Sequence, residues 1–82
     1  MSTLLITVHG DTRRLANAKF LANKKTVPIA IRSLINKLTN SVGHNDSEHV
    51  TIRRNALSLS DQRWLDRNWT QVRTCVELVE QA

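Results

Sequence analysis

The chain has one cysteine, one proline, two glycines and no tyrosine, and each scarcity removes a class of protein. A lone Cys75 excludes an internal disulfide framework and a cysteine-based zinc centre. Gly10 and Gly43 are too few to write a P-loop or a dinucleotide-binding fingerprint. Aromatic residues make up only 4%, so no base-stacking surface of the RRM or OB type is spelled out, and Phe20 is the single candidate platform. Uncharged runs are short, which excludes a membrane-spanning helix. The start, Met1-Ser2-Thr3-Leu4-Leu5-Ile6-Thr7-Val8-His9, has no basic n-region and no small-residue cleavage site, so a cytoplasmic protein is expected.

What remains is one small domain over residues 1–82, with 40% hydrophobic residues and a modest core. The formal net charge is +5, unevenly spread. Residues 1–40 hold Arg13, Arg14, Lys19, Lys24, Lys25, Arg32 and Lys37 against Asp11 alone, a net +6. Residues 41–82 hold Arg53, Arg54, Arg63, Arg67 and Arg73 against Asp46, Glu48, Asp61, Asp66, Glu77 and Glu80, a net −1. The first half should attract polyanions: nucleic acid, a nucleoprotein or an acidic protein surface. A membrane surface is not expected, because no stretch joins a basic face to large apolar side chains.

Leu4 to Val8 is short and β-branched and stops at His9-Gly10-Asp11, which predicts a strand closed by a turn. Gly-Asp suits a two-residue hairpin, with Gly supplying positive φ, so a second strand is predicted over 12–25. As a helix, that segment would group Leu15, Ala18 and Ala22 and point Phe20 elsewhere. Thr26-Val27-Pro28 announces a helix, with Ile31, Leu34, Ile35, Leu38 and Val42 in one stripe and Gly43 as its stop. Val50 and Ile52 alternate with His49, Thr51 and Arg53, predicting a strand over 49–57. Ser58 and Asp61 form a capping-box pattern ahead of a long helix to Glu80, with Leu65, Trp69, Val72, Val76 and Val79 inward. The expected fold is a small α+β two-layer sandwich of order ββαβα, with two amphipathic helices on one face of a three-stranded sheet.

The candidate chemistry is thin. His9-Gly10-Asp11 and His44-Asn45-Asp46, with Glu48 and His49 nearby, offer metal-ligand types without a ligand spacing on a rigid element. Asp11, Asn45 and Asp46 read more simply as turn formers. Cys75 on a helix interior reads as an inert thiol, and Ser58 and Ser60 as caps. No metal, no cofactor and no enzymatic activity are expected. Three basic pairs stand out instead, Arg13-Arg14, Lys24-Lys25 and Arg53-Arg54. With Lys19 they form the expected nucleic-acid or polyanion site, of the kind that positions a protein on phosphates without reading sequence.

The order from residue 28, a helix, then Glu48-His49-Val50-Thr51-Ile52-Arg53, then a terminal helix, loosely resembles the small DinI-type proteins that modulate a recombinase filament. The resemblance covers element order and size. The acidic last helix of that family is replaced here by one of mixed charge, and the basic 12–25 segment has no counterpart.

The leading expectation is therefore a small, basic, non-enzymatic protein acting on nucleic acid or a nucleoprotein complex. The alternative is a protein-interaction module that inhibits or regulates a larger enzyme or assembly, as phages and mobile elements encode. Trp64, flanked by Arg63 and Arg67, has the composition of an interface hot spot. With Leu78 and Cys75 it widens the apolar face of the last helix, which suggests a homodimer along that helix.

Overall fold

In the computed structural model, which describes residues 2–82, the chain folds around one central strand. Leu4, Ile6 and Val8 are buried and alternate with half-buried Thr3, Leu5, Thr7 and His9 in strand β1 (Thr3–His9), the two-residue period of a strand with one face on the core. Helices α1 (Thr12–Ala22) and α2 (Ile29–Ser41) follow, then strand β2 (Ser47–Arg53) and a short 3-10 turn (Arg54–Ala56). The chain closes with α3 (Leu59–Arg67), α4 (Trp69–Cys75) and strand β3 (Glu77–Gln81). The three strands form an open antiparallel sheet of order β2-β1-β3, so the domain is α+β.

The α2 stripe is as predicted: Ile31, Ile35 and Leu38 are buried and Leu34 packs against them. Strand β2 overlaps the predicted 49–57 but starts at Ser47 and ends at Arg53, where Arg54–Ala56 wind into the 3-10 turn; the start of α3 follows the sequence. The Ser58 hydroxyl accepts the Asp61 amide at 3.2 Å, the expected N-cap.

Two spans differ. Residues 12–25, predicted as a strand, form α1 and its exit loop. Asp11 is an N-cap and not a turn residue: its Oδ1 accepts the Arg14 amide at 3.1 Å and its carbonyl accepts that of Leu15 at 2.8 Å. Gly10 has no positive φ; its amide instead donates to the Asp46 carbonyl at 2.8 Å. Ala18, Leu21 and Ala22 are the buried face of α1, and small side chains at 18 and 22 suit close packing on neighbouring elements.

The predicted single helix to Glu80 is split. It breaks at Asn68 (φ −113, ψ 17), whose side-chain amide donates back to the Trp64 carbonyl at 2.8 Å. At Val76 the backbone turns extended (φ −136, ψ 159) and β3 pairs with β1, Leu5 opposite Val79 and Thr7 opposite Glu77. The element order is therefore β-α-α-β-α-α-β. The count of three strands stands, with β3 in place of the strand expected at 12–25. The terminal helix behind both the family resemblance and the helix-mediated homodimer is not continuous.

One hydrophobic cluster joins the sheet to the helices: Leu4, Ile6, Val8 and Leu78 from the strands, with Leu21, Val27, Ile31, Ile35, Leu57, Leu65 and Val72 among the others. Among the described residues no helix is long and apolar enough to cross a membrane.

Candidate polyanion interface

Arg13, Arg14 and Lys19 are all exposed on α1, a helix without a single carboxylate. Advancing about 100° per residue, Ala18, Leu21 and Ala22 face the core, while Arg13, Ala16 and Phe20 point the opposite way. Lys19 flanks that outward face on one side and Asn17 on the other; Arg14 sits in the first turn on the core-side arc, exposed past the end of the packed face, with its guanidinium 3.6 Å from the Asp11 carboxylate. Lys25 is exposed in the loop to α2, and half-buried Lys24 holds its ammonium over the Phe20 ring, 5.9 Å from the centroid. Phe20 itself is 63% exposed. Helix α2 adds Arg32 and exposed Lys37. From Thr12 to Asn45 the chain carries seven Lys and Arg residues and no Asp or Glu, and α1 packs on α2. Five of the predicted polyanion residues thus fall on one helix and its exit loop.

The other two part company. Arg53 is exposed at the end of β2, opposite Thr3, on the sheet rather than on α1. Arg54 is occupied. Its guanidinium bonds Asp66 Oδ1 at 2.5 Å and Glu80 Oε2 at 3.2 Å, with its side chain only 18% exposed. The hydrogen bond to Asp66 leads in raising its pKa further above the usual arginine value, and the charges of Asp66 and Glu80 add to it. This cation ties the 3-10 turn to α3 and β3. Both carboxylates reach solvent, Asp66 more than Glu80, and rehydrate when the arginine is removed, so Arg54→Met is expected to cost about 1 kcal/mol. That lowers the melting temperature by roughly 4–8 °C without changing affinity for a polyanion. A variant that melts like the wild type yet binds more weakly would return Arg54 to the binding site.

The predicted protein-interface residues are also redistributed. Leu78 is 6% exposed and belongs to the core. Trp64 is half-buried against that core, while Arg63 and Arg67 are exposed on α3. What the sequence reading missed is the far edge of β3. Among the described residues that strand pairs with β1 alone. Beside it lies an open groove of about 710 Å³, bordered by Arg14 and Asn17 from α1 and by Trp69 and Arg73 from α4. His9 Nε2 donates to Glu77 Oε2 at 2.8 Å at its margin.

Cys75 lines the same groove. Burial pushes its thiol above the ordinary range, and the Lys24 charge works against that rise. The folded chain therefore holds the thiol proton more tightly than the unfolded one. The stability linked to it is intact below the ordinary thiol range and falls as pH rises through and beyond it. At about pH 8 alkylation by iodoacetamide should be slower for the native chain than for the urea-unfolded chain; equal rates would contradict this.

Among the described residues no three His, Cys, Asp or Glu side chains gather to hold a metal ion. Asn45 takes a left-handed φ of 63, so His44-Asn45-Asp46 is a turn between α2 and β2. Compared with known proteins, the chain matches no family model, no curated protein and no solved structure.

Proposed function

We propose that this is a small, non-enzymatic, cytoplasmic protein that binds nucleic acid or a nucleoprotein complex through α1 and the α1–α2 loop. The observation that carries it is the segregation of charge: seven cations and no carboxylate over residues 12–45, with Arg13, Arg14, Lys19 and Lys25 exposed. Such a field concentrates polyanions and releases their counterions on contact. Arg53 is a peripheral contributor. In this view the helices form one layer over the sheet, a two-layer arrangement supported by the one-sided burial of β1. Fluorescence anisotropy with short DNA and RNA at low and moderate salt tests the proposal: affinity should fall linearly on a log–log scale with salt. Absence of binding at low salt rejects it.

A protein-interaction module is the alternative, favoured by the free edge of β3. An exposed strand edge presents unpaired backbone groups that accept another strand. A second copy could pair there about a two-fold axis at Val79, which sets Leu78 opposite Glu80 and Glu77 opposite Gln81, with no glutamates directly opposed. Val79 is 41% exposed and abuts Leu5, so the pairing would extend an apolar row across the outer sheet face. Light scattering that stays at 9.3 kDa over a wide concentration range rules out this dimer. A protein partner captured equally with and without nuclease would favour the interaction module over the nucleic-acid site.

A further inference from the structure

Phe20 is the one large aromatic of α1, and the fold leaves it outside. It is 63% exposed on the helix face opposite Ala18, Leu21 and Ala22, so no rotamer returns it to the core. Burying a phenylalanine contributes about 1.5–3 kcal/mol, and this domain leaves most of that unused. The ring stands among cations: Lys24 lies over it at 5.9 Å, Lys19 precedes it, Arg13 shares its outward face and Lys25 follows in the loop. Carboxylates are absent from the whole stretch between Asp11 and Asp46.

A cationic helix face that needed only phosphates would gain nothing from an exposed phenyl ring. A duplex keeps its bases stacked on one another, so it offers such a face its backbone and groove edges but no free base face for a phenyl ring. An unpaired base offers a free π-face, and sequence-tolerant binding of single strands combines a basic track with aromatic platforms. Resting on the nucleic-acid reading above, we propose that the outward face of α1 binds single-stranded nucleic acid, with one base stacked on Phe20 and the flanking phosphates met by Arg13, Lys19, Lys24 and Lys25. The Lys24 ammonium covers one face of the ring, and the base takes the other. The contact is indifferent to base identity, because every base has a π-face and no side chain here is arranged to read a base edge.

The test uses the full chain, a labelled 12-nucleotide single strand and the matching blunt duplex at one moderate salt concentration. The wild type should bind the single strand more tightly than the duplex. Phe20→Ala should weaken single-strand binding roughly 5- to 150-fold, the equivalent of about 1–3 kcal/mol. Duplex binding and the salt slope should be unchanged, and Phe20→Trp should retain affinity. Because Phe20 is exposed, the melting temperature serves as a folding control. Single-strand affinity unmoved by Phe20→Ala, or a wild-type preference for duplex, overturns the stacking proposal and leaves the polyanion reading standing. No binding to either probe at low salt overturns both.

Discussion

Replacing Gly10 with alanine is expected to lower the melting temperature by roughly 12–24 °C, the equivalent of about 3 kcal/mol in a domain of this size. A Cβ at position 10 would run directly into the carbonyl oxygen of Gly43, with that carbonyl's carbon at 3.0 Å and the Asp46 oxygen at 3.3 Å. All three atoms are backbone, so none can swing aside as a side chain would. The β1–α1 corner must then part from the α2–β2 corner. The Gly10 amide bond to the Asp46 carbonyl, 2.8 Å long, is strained or lost, a further loss of about 1 kcal/mol. Gly43→Ala is the contrast. Its Cβ would meet the Asp46 side chain, closest at Oδ2, 2.7 Å, the tip of an exposed side chain that can rotate away, so a shift of a few degrees is expected. Thermal unfolding followed by circular dichroism checks both. A Gly10→Ala protein that melts within a few degrees of the wild type would show that the two corners do not need this approach.

Gly10 also shows why part of the fold was illegible. Next to a β-branched strand, Gly-Asp reads as a hairpin turn, and that reading draws residues 12–25 into a second strand. The structure uses the same two residues otherwise: the glycine admits a neighbouring carbonyl and the aspartate caps a helix. Asp11 ahead of Arg14 was the available signal, an N-cap followed by Leu15, Ala18 and Ala22 at helical spacing. Phe20 spoke against the helix because it fell off that stripe, and its exposure is the feature on which the stacking proposal now rests. At the other end, Val72, Val76 and Val79 fit a helical stripe as well as Val76 and Leu78 fit a strand. Short apolar runs do not separate the two periods; tertiary pairing does, since β1 has a second edge that β3 fills. Where the period was long, as in α2, and at the Ser58 cap, sequence and structure agree, although Pro28 is the residue before α2 and not its first, and α2 ends at Ser41 with an extended Val42, without a left-handed Gly43. The basic half was legible from composition alone. That Arg54 belongs to an ion-pair network was not, because its partners are distant in sequence, Asp66 on α3 and Glu80 on the unforeseen β3.

The largest functional effect is expected from Arg13→Gln, Lys19→Gln and Lys25→Gln combined. All three side chains are exposed, and the hydrogen bonds and ion pairs of the described residues do not involve them. Their loss should leave the fold within about 0.5 kcal/mol per site. Each phosphate contact on a single strand contributes about 0.7 to the log–log salt slope, so the triple variant should bind with a slope shallower by about two. Its affinity should fall roughly thirtyfold near 0.2 M salt and several hundredfold near 0.05 M. Arg63→Gln, Arg67→Gln and Arg73→Gln remove the same formal charge from α3 and α4, where Asp61 and Asp66 of α3 and Glu77 at the start of β3 already offset it. At moderate salt, screening confines each field to about a Debye length, near 10 Å, so this second triple should weaken binding far less and leave the slope nearly unchanged. Equal losses from the two triples would mean that net charge alone drives association, and that α1 holds no particular place in it. A wild-type slope already near zero would exclude phosphate contact altogether. With the slope lost on α1 alone, and the Phe20→Ala loss independent of salt, the electrostatic track and the stacking platform would separate as two contributions on one helix face.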